Sequence, residues 1–308
     1  MIWVFDKETG KVNPQPPKTT AVVTHLYTIK TDEGEKSDIL ERKVFEPLDG
    51  DIIPFIKRCI EPGYRISSTD IPDLSYFLAF QHARVPRTLA MFRELGEMMH
   101  IEFAKRVADD KKGMDEAYEK FAKEAPVDAL VTRDQYYDWF ADFEKYWRFK
   151  LKDEYVLAMT IKFAVPNFFE TLRQMSWCIV DAPRDSFFVT CDAPVVSVAP
   201  APHLAPNAVH LGCFTASPNF EVSFPLSPSV CVLARKVKGQ QRFRCSAKYA
   251  DLLNYRAALM AERYIFSHRD STKVRSLMNR GAKTRHQPKI DKEYVRRRMA
   301  YEKKLGII

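Results

Sequence analysis

Glycine is scarce, ten in 308 residues, and no Gly-x-Gly-x-x-Gly or Walker-type loop can be assembled from them. The backbone cradles that commonly hold dinucleotides and nucleoside triphosphates are therefore missing. A Gly-x-Ser-x-Gly elbow is absent too, which argues against a typical α/β-hydrolase. The six cysteines (Cys59, Cys178, Cys191, Cys213, Cys231, Cys245) include no Cys-x-x-Cys pair. They read as reduced core thiols rather than as a disulfide framework or zinc site. None of the seven histidines stands at ligand spacing from another, so no metal and no cofactor is expected. No apolar run approaches the roughly 18 residues of a membrane span. No charged-then-apolar leader opens the chain. The expectation is a cytoplasmic protein with no membrane partner.

What is present is globular. Hydrophobic residues make up 46% and charged residues 29%, enough apolar material at this length to bury a sizeable core. The net charge of +8 is not spread evenly. Residues 280–308 hold ten Lys/Arg against three acids, +7 of the +8, leaving +1 for the other 279 residues. The body is balanced and the tail is basic.

The chain opens in strand-like Ile2–Phe5, turns at Asp6–Lys11 with Gly10 suited to positive φ, and passes through Pro14, Pro16 and Pro17. Val22–Ile29 alternates like a second strand. Residues 37–175 read as helical. Asp70 is placed to cap a helix whose face carries Leu74, Phe77, Leu78, Gln81, Arg84 and Val85. Pro86 breaks that helix before an amphipathic run resumes at Arg87. Further helices are expected near 114–124, 132–150 and 151–165, with Pro166-Asn167 as punctuation before Phe168–Met175. Residues 176–267 change character: short β-type runs at 177–180, 186–191, 195–198, 209–214, 220–224, 229–234 and 241–246, then a helix at 248–263 and a last strand at 264–266. A helical block followed by a strand block gives an α+β fold, with an N-terminal hairpin and a central helical segment packed on a mainly antiparallel sheet. Residues 1–279 are expected to form one domain and 280–308 a basic tail.

Five stretches together resemble an uncharacterised bacterial family, domain of unknown function 4238. They are Trp3-Val4-Phe5-Asp6-Lys7 with Gly10; Gln81-x-x-Arg84-x-Pro86-Arg87; Phe188-Val189-Thr190-Cys191-Asp192-Ala193-Pro194; Phe224-Pro225-Leu226-Ser227-Pro228; and Asn254 with Arg263-Tyr264-Ile265-Phe266. The likeness runs to about residue 270 and rests on their order and spacing. The family ordinarily opens with a His-Tyr-Val-Pro-Gln segment just before the Trp-Val-Phe strand, where this sequence has Met1. Three readings follow: a misplaced gene start, a degraded copy, or a member that dispenses with the segment; an activity needing that histidine is not expected of the sequence as written. The family name carries no reaction, so the resemblance supplies positions only.

The stretch Asp185–Val198 is where chemistry is sought. Phe187, Val189 and Cys191 alternate with Phe188, Thr190 and Asp192, and Pro194 ends regular pairing, leaving Asp192 at the strand's carboxyl end. Cys191 falls on the apolar side with no histidine near in sequence, which disfavours it as a nucleophile. Gln81 and Arg84 are helical neighbours on an otherwise apolar face, and a guanidinium there needs a partner. Asp192 is the expected partner, completed by Thr190 or Asn254. One reading is a pocket in which Gln81, Arg84, Arg87 and Asn254 hold an anionic ligand while Asp192 and Thr190 carry the chemistry. That suits a hydrolase or transferase acting on a phosphate-bearing or other anionic substrate. The other is an internal Arg–Asp bridge with no ligand. The tail offers a third: Arg296, Arg297 and Arg298, with Tyr294 and Tyr301 nearby, suit a nucleic-acid backbone or acidic partner, or simply a solvated end. His82 lies about 100° around the helix from Gln81 and is expected at the surface.

Overall fold

The computed structural model describes residues 1–20, 27, 29–30, 36–126, 131–141, 150–200, 209–211 and 217–281. They divide into two compact units, one built from 1–89 and 157–281 and the other from 90–156. The fold is α+β, and the expected N-terminal hairpin and mainly antiparallel sheet are both present.

Strands β1 (Ile2–Asp6) and β2 (Val12–Gln15) form the hairpin. Its turn closes where Gly10 takes φ 72° and donates to the Asp6 carbonyl at 2.8 Å. A side chain rarely adopts that conformation, which is why glycine stands there. β1 is central in a four-stranded antiparallel sheet ordered β2-β1-β12-β6, where β6 is Thr190–Cys191 and β12 is Tyr264–Ser267. Most of the strand-rich block forms a six-stranded sheet ordered β11-β5-β10-β9-β7-β8. Its strands are β5 (Ser176–Asp181), β7 (Val196–Pro200), β8 (Val209–Leu211), β9 (Glu221–Pro225), β10 (Val230–Arg235) and β11 (Arg242–Arg244). Only the β11–β5 pair is parallel. Ile29–Lys30 and Lys36–Ser37, β3 and β4, pair separately. The rest of the expected Val22–Ile29 strand, apart from Tyr27, lies outside the described residues.

The register sorts the six-stranded sheet into two apolar faces. Trp177, Ile179, Val222, Val232 and Ala234 share one face and pack against helices α2 (Ile53–Ile60), α3 (Ile71–Ala83) and α8 (Val165–Arg173). Cys178, Val180, Cys231 and Leu233 share the other, covered by Ala250 and Leu253 of α9 (Ala247–Met260). The end of α9 continues the core, where Ala257, Ala258 and Met260 meet Val196 and Val198 of one sheet and Phe5, Cys191 and Ile265 of the other. Two core layers thus converge on the C-terminal end of one helix. Burial of this kind stabilises by about 25 cal/mol per Å² of apolar surface.

Helix α3 ends at Ala83, and α4 (Pro86–Asp109) begins on Pro86, as the sequence requires. In the second unit, α5 (Lys111–Glu124) and α6 (Arg133–Ala141) pack through Tyr118, Phe121, Tyr136, Trp139 and Phe140. Helix α1 is Glu46–Asp51, and α7 is Asp153–Met159.

Three local expectations are corrected. Asp70 does not cap α3; its carboxylate instead accepts from Ser67 N at 2.8 Å, Tyr64 Oη at 2.7 Å and Arg58 Nη2 at 3.0 Å, so a loop uses it up. Pro166 does not punctuate. It falls inside an unbroken helical run from Asp153 to Arg173, directly after a π turn at Thr160–Ala164 where the hydrogen-bond ladder is already irregular, so the missing N–H of Pro166 does not end the helix. The 186–191 strand shrinks to Thr190–Cys191, although its alternation holds: Phe187, Val189 and Cys191 enter one core and Phe188 the other.

The irregular part has a side chain as its strand partner. Asn254 Oδ1 accepts from Val189 N at 2.9 Å, and Asn254 Nδ2 donates to Phe187 O at 2.7 Å. Both bonds are buried, so Asn254→Leu orphans a donor and an acceptor together. The expected loss, read by urea unfolding, is roughly 2–4 kcal/mol. A loss below about 0.5 kcal/mol, the scale of an ordinary surface substitution, would contradict this role.

Candidate functional site

The residues expected to form one site separate into two. Arg84, last in the turn that ends α3, meets Asp49 rather than Asp192. Its Nη2 lies 2.8 and 2.9 Å from the two carboxylate oxygens of Asp49 in α1. Gln81 Nε2 reaches the same carboxylate at 3.1 Å, and Gln81 Oε1 accepts from Arg84 Nε at 3.3 Å. The guanidinium also lies 5.2 Å from the centre of the Phe45 ring. The charge on the greasy helix is therefore answered within the helical layer. The Arg84–Asp192 bridge does not form, because α1 supplies the carboxylate first. Half of Asp49 faces water, so the pair is screened and ties α1 to α3 only modestly.

Asp192 is held elsewhere. Its Oδ1 accepts from Glu262 N at 2.8 Å, and its Oδ2 accepts from Arg263 N at 2.7 Å and Tyr264 N at 2.9 Å. Its own N–H donates to Tyr264 O at 3.1 Å. Three consecutive backbone donors converge on one carboxylate, the arrangement that binds anions in general. This is the turn in which α9 gives way to β12. A helix end exposes carbonyls without intrahelical partners, and cations meet them. Lys7 Nζ donates to Ala258 O at 2.9 Å and Ala261 O at 2.5 Å, and Arg87 Nη1 donates to Met260 O at 3.3 Å. Positive charge at a helix C-terminus is favourable. Lys7 N also donates to Arg263 O, and Arg263 forks onto Asp6 Oδ2 at 2.8 and 3.2 Å.

Electrostatics mark this turn more strongly than the Arg84 cluster. Burial lowers the pKa of Lys7, Asp192 and Cys191 oppose that, and Arg87 adds to it. Burial lowers the pKa of Arg87 as well, opposed by Glu262, Cys191 and Asp192. Asp6 is held far below the usual carboxylate range, chiefly by Arg263. Two half-buried cations and two carboxylates thus share one end of α9. Arg87, one helical turn beyond Arg84 and past the proline break, is the arginine that stands near Asp192.

The remaining sequence candidates are placed as follows. Thr190 is half-buried on β6 opposite Phe266 and makes no hydrogen bond through its hydroxyl among the described residues. Asn254 serves the backbone of Phe187 and Val189. Cys191 is buried, its Sγ 3.1 Å from Ala193 O, and burial pushes its thiol pKa up. The other described cysteines are buried free thiols. Among the described residues no group of three His, Cys, Asp or Glu is placed to hold a metal ion, and no helix is long and apolar enough to cross a membrane. Arg296, Arg297 and Arg298 lie outside the described residues, as does Cys213. The sequence pattern does not single out Lys7, Glu262 or Asp49. Lys7 falls in the Trp3–Lys7 stretch but reads as a turn residue, while Glu262 and Asp49 have no local signal.

The sequence signature of the family described as "Protein of unknown function (DUF4238)" matches residues 1–271. The chain belongs to this family. No curated protein matches it, and no solved structure does. In this DUF4238 chain, four of the five stretches that carried the resemblance meet at the α9–β12 turn: Asp6 and Lys7, Arg87, Asp192, and Arg263-Tyr264. The fifth, Phe224–Pro228, forms the β9–β10 turn, and its Pro228 O accepts from Phe188 N at 2.8 Å.

His82 corrects a further expectation. It is buried, with its ring 4.5 Å from that of Phe168. Burial lowers its pKa from 6.5 to about 4, and Arg87 adds to the shift. A depressed histidine favours the neutral folded form. The unfolded chain therefore takes up the proton first, and stability falls as pH drops from about 6.5 towards about 4. Replacing His82 by Phe is expected to flatten the stability profile in that window, measured by urea unfolding at each pH. An unchanged slope would contradict the assignment.

Proposed function

We propose that the protein binds a phosphate-bearing or other anionic substrate at the Lys7–Arg87 end of α9 and acts on it as a hydrolase or transferase. The supporting observation is that two half-buried cations reach carbonyls of the same helix end, Lys7 those of Ala258 and Ala261 and Arg87 that of Met260, and that Asp192 and Glu262 act electrostatically on both. Holding like charges together in a partly desolvated place is costly, and such perturbed clusters concentrate at functional sites. Lys7 is a compact donor and Arg87 a planar fork, a pair suited to phosphate oxygens. Glu262 is exposed and is the carboxylate assigned to proton transfer. Asp192 keeps the turn in place, and Thr190 stays a candidate polar contact beside it. The buried thiols fit a reducing, cytoplasmic setting.

The reading is tested by titrating the full chain with inorganic phosphate and with simple phosphate monoesters, following binding calorimetrically and hydrolysis by phosphate release. Arg87→Met is expected to weaken phosphate binding at least about tenfold, the loss of one charge-assisted contact. Lys273→Met, at a surface pair with Asp251, leaves it unchanged. Equal affinity in the Arg87→Met and unaltered proteins would overturn the reading.

A further inference from the structure

Arginines in this fold grip carboxylates through one edge of the guanidinium, the Nε–Nη2 pair. Arg242 holds Asp181 in this way at 2.8 and 2.7 Å, and Arg263 holds Asp6 at 3.2 and 2.8 Å. Arg256 of α9 is more deeply buried than either, with 7% of its side chain exposed. Its Nη1 donates to Glu221 Oε2 at 2.7 Å, which leaves the gripping edge unused. Nε is buried with no hydrogen-bond partner, and Nη2 has none among the described residues. A buried donor left empty costs stability unless something fills it. The ion pair with Glu221 accounts for the charge of Arg256 but not for its empty edge.

The surroundings suit a ligand. Arg235, last in β10, lies opposite Glu221 of β9 in the register, so both project from one end of the six-stranded sheet, on the face that α9 covers. Arg235 is half-buried, and its guanidinium makes no ion pair among the described residues. It lies against Gly239, where a Cβ would stand 2.5 Å from its Nη2. Tyr249, two turns before Arg256 on α9, is half-buried with its ring 6.2 Å from that of Phe243, and its hydroxyl makes no hydrogen bond among the described residues. Glu221, Arg256 and Arg235 all act on it electrostatically. We propose that the Nε–Nη2 edge of Arg256, flanked by Arg235 and Tyr249, is a binding site for a small carboxylate-bearing molecule. Shape favours this class, because two parallel N–H groups match the two oxygens of a planar carboxylate. Charge favours it too: the two arginines and Glu221 sum to one positive charge, which a single carboxylate neutralises. The side chain of Glu221 is 22% exposed, so the cluster opens to solvent on that side. The site shares no residue with the Lys7–Arg87 end of α9 and does not depend on the phosphate reading.

The test titrates the full chain with sodium acetate, and in parallel with inorganic phosphate at equal ionic strength, while heteronuclear NMR follows the Nε–H signal assigned through the Arg256 side chain. Acetate is expected to shift that signal saturably, with an affinity at least about tenfold above that of phosphate. Arg235→Met is expected to weaken the acetate titration at least about threefold, the loss of a partly solvated charge. Arg87→Met leaves it unchanged. Acetate is also expected to raise the melting temperature of the unaltered chain by mass action. Arg256→Lys keeps a cation for Glu221 but has no planar edge, and its melting temperature is expected not to rise with acetate. An Nε–H signal that ignores acetate, or answers phosphate equally well, would overturn the proposal. So would an acetate titration untouched by Arg235→Met, or an equal rise in melting temperature in Arg256→Lys.

Discussion

A single carboxylate, that of Asp192, answers three backbone N–H groups where α9 turns into β12. Helix ends are where backbone polar groups lose their partners, and leaving them unpaired beside a core is costly. This turn is satisfied from both directions, with a carboxylate on its N–H groups and Lys7 and Arg87 on its carbonyls. The four-stranded sheet is built around the result. β12 pairs with β1 on one side and β6 on the other, so the N-terminal hairpin and the Asp192 strand are both registered on the segment that the turn launches. The Asp6–Arg263 bridge fastens the hairpin's own turn to the same place.

The arrangement explains why residues far apart in sequence belong together without forming the pocket that their types suggest. Arg84 and Asp192 each needed a partner, and each found one locally. Arg84 took Asp49 across two helices, and Asp192 took the backbone. Arg87 inherits the position beside Asp192 because Pro86 restarts the helix. What concentrates at the end of α9 is charge of both signs in partial burial, which is costly unless each group is paired or put to use.

Much of the fold was legible. The period-two alternation of Phe187, Val189 and Cys191 against Phe188 sorted these side chains into the correct cores even though most of that strand is not paired as a strand. The α3–α4 break at Pro86, the hairpin turn at Gly10 and the α+β class follow from local chemistry alone. The site was less legible, for physical reasons. Backbone donors such as those of Glu262–Tyr264 exist at every position and leave no trace in side-chain pattern. The Asp49 carboxylate lies 35 residues from Arg84, and spacing carries no information over such a gap. The apolar spacing of α3 suggests one buried face, whereas the helix is covered on most of its circumference, Ser75, Ala79 and Ala83 included, and His82 is buried with them.

Amide hydrogen exchange at Glu262, Arg263 and Tyr264 tests the central claim most directly. Glu262 is a surface residue, and an exposed turn amide without an acceptor exchanges near the rate of an unstructured peptide. The Asp192 clamp predicts that all three amides are slowed at least about a hundredfold in the unaltered chain and released together in Asp192→Ala. Rapid exchange at these amides in the unaltered chain, with β12 itself protected, would contradict it.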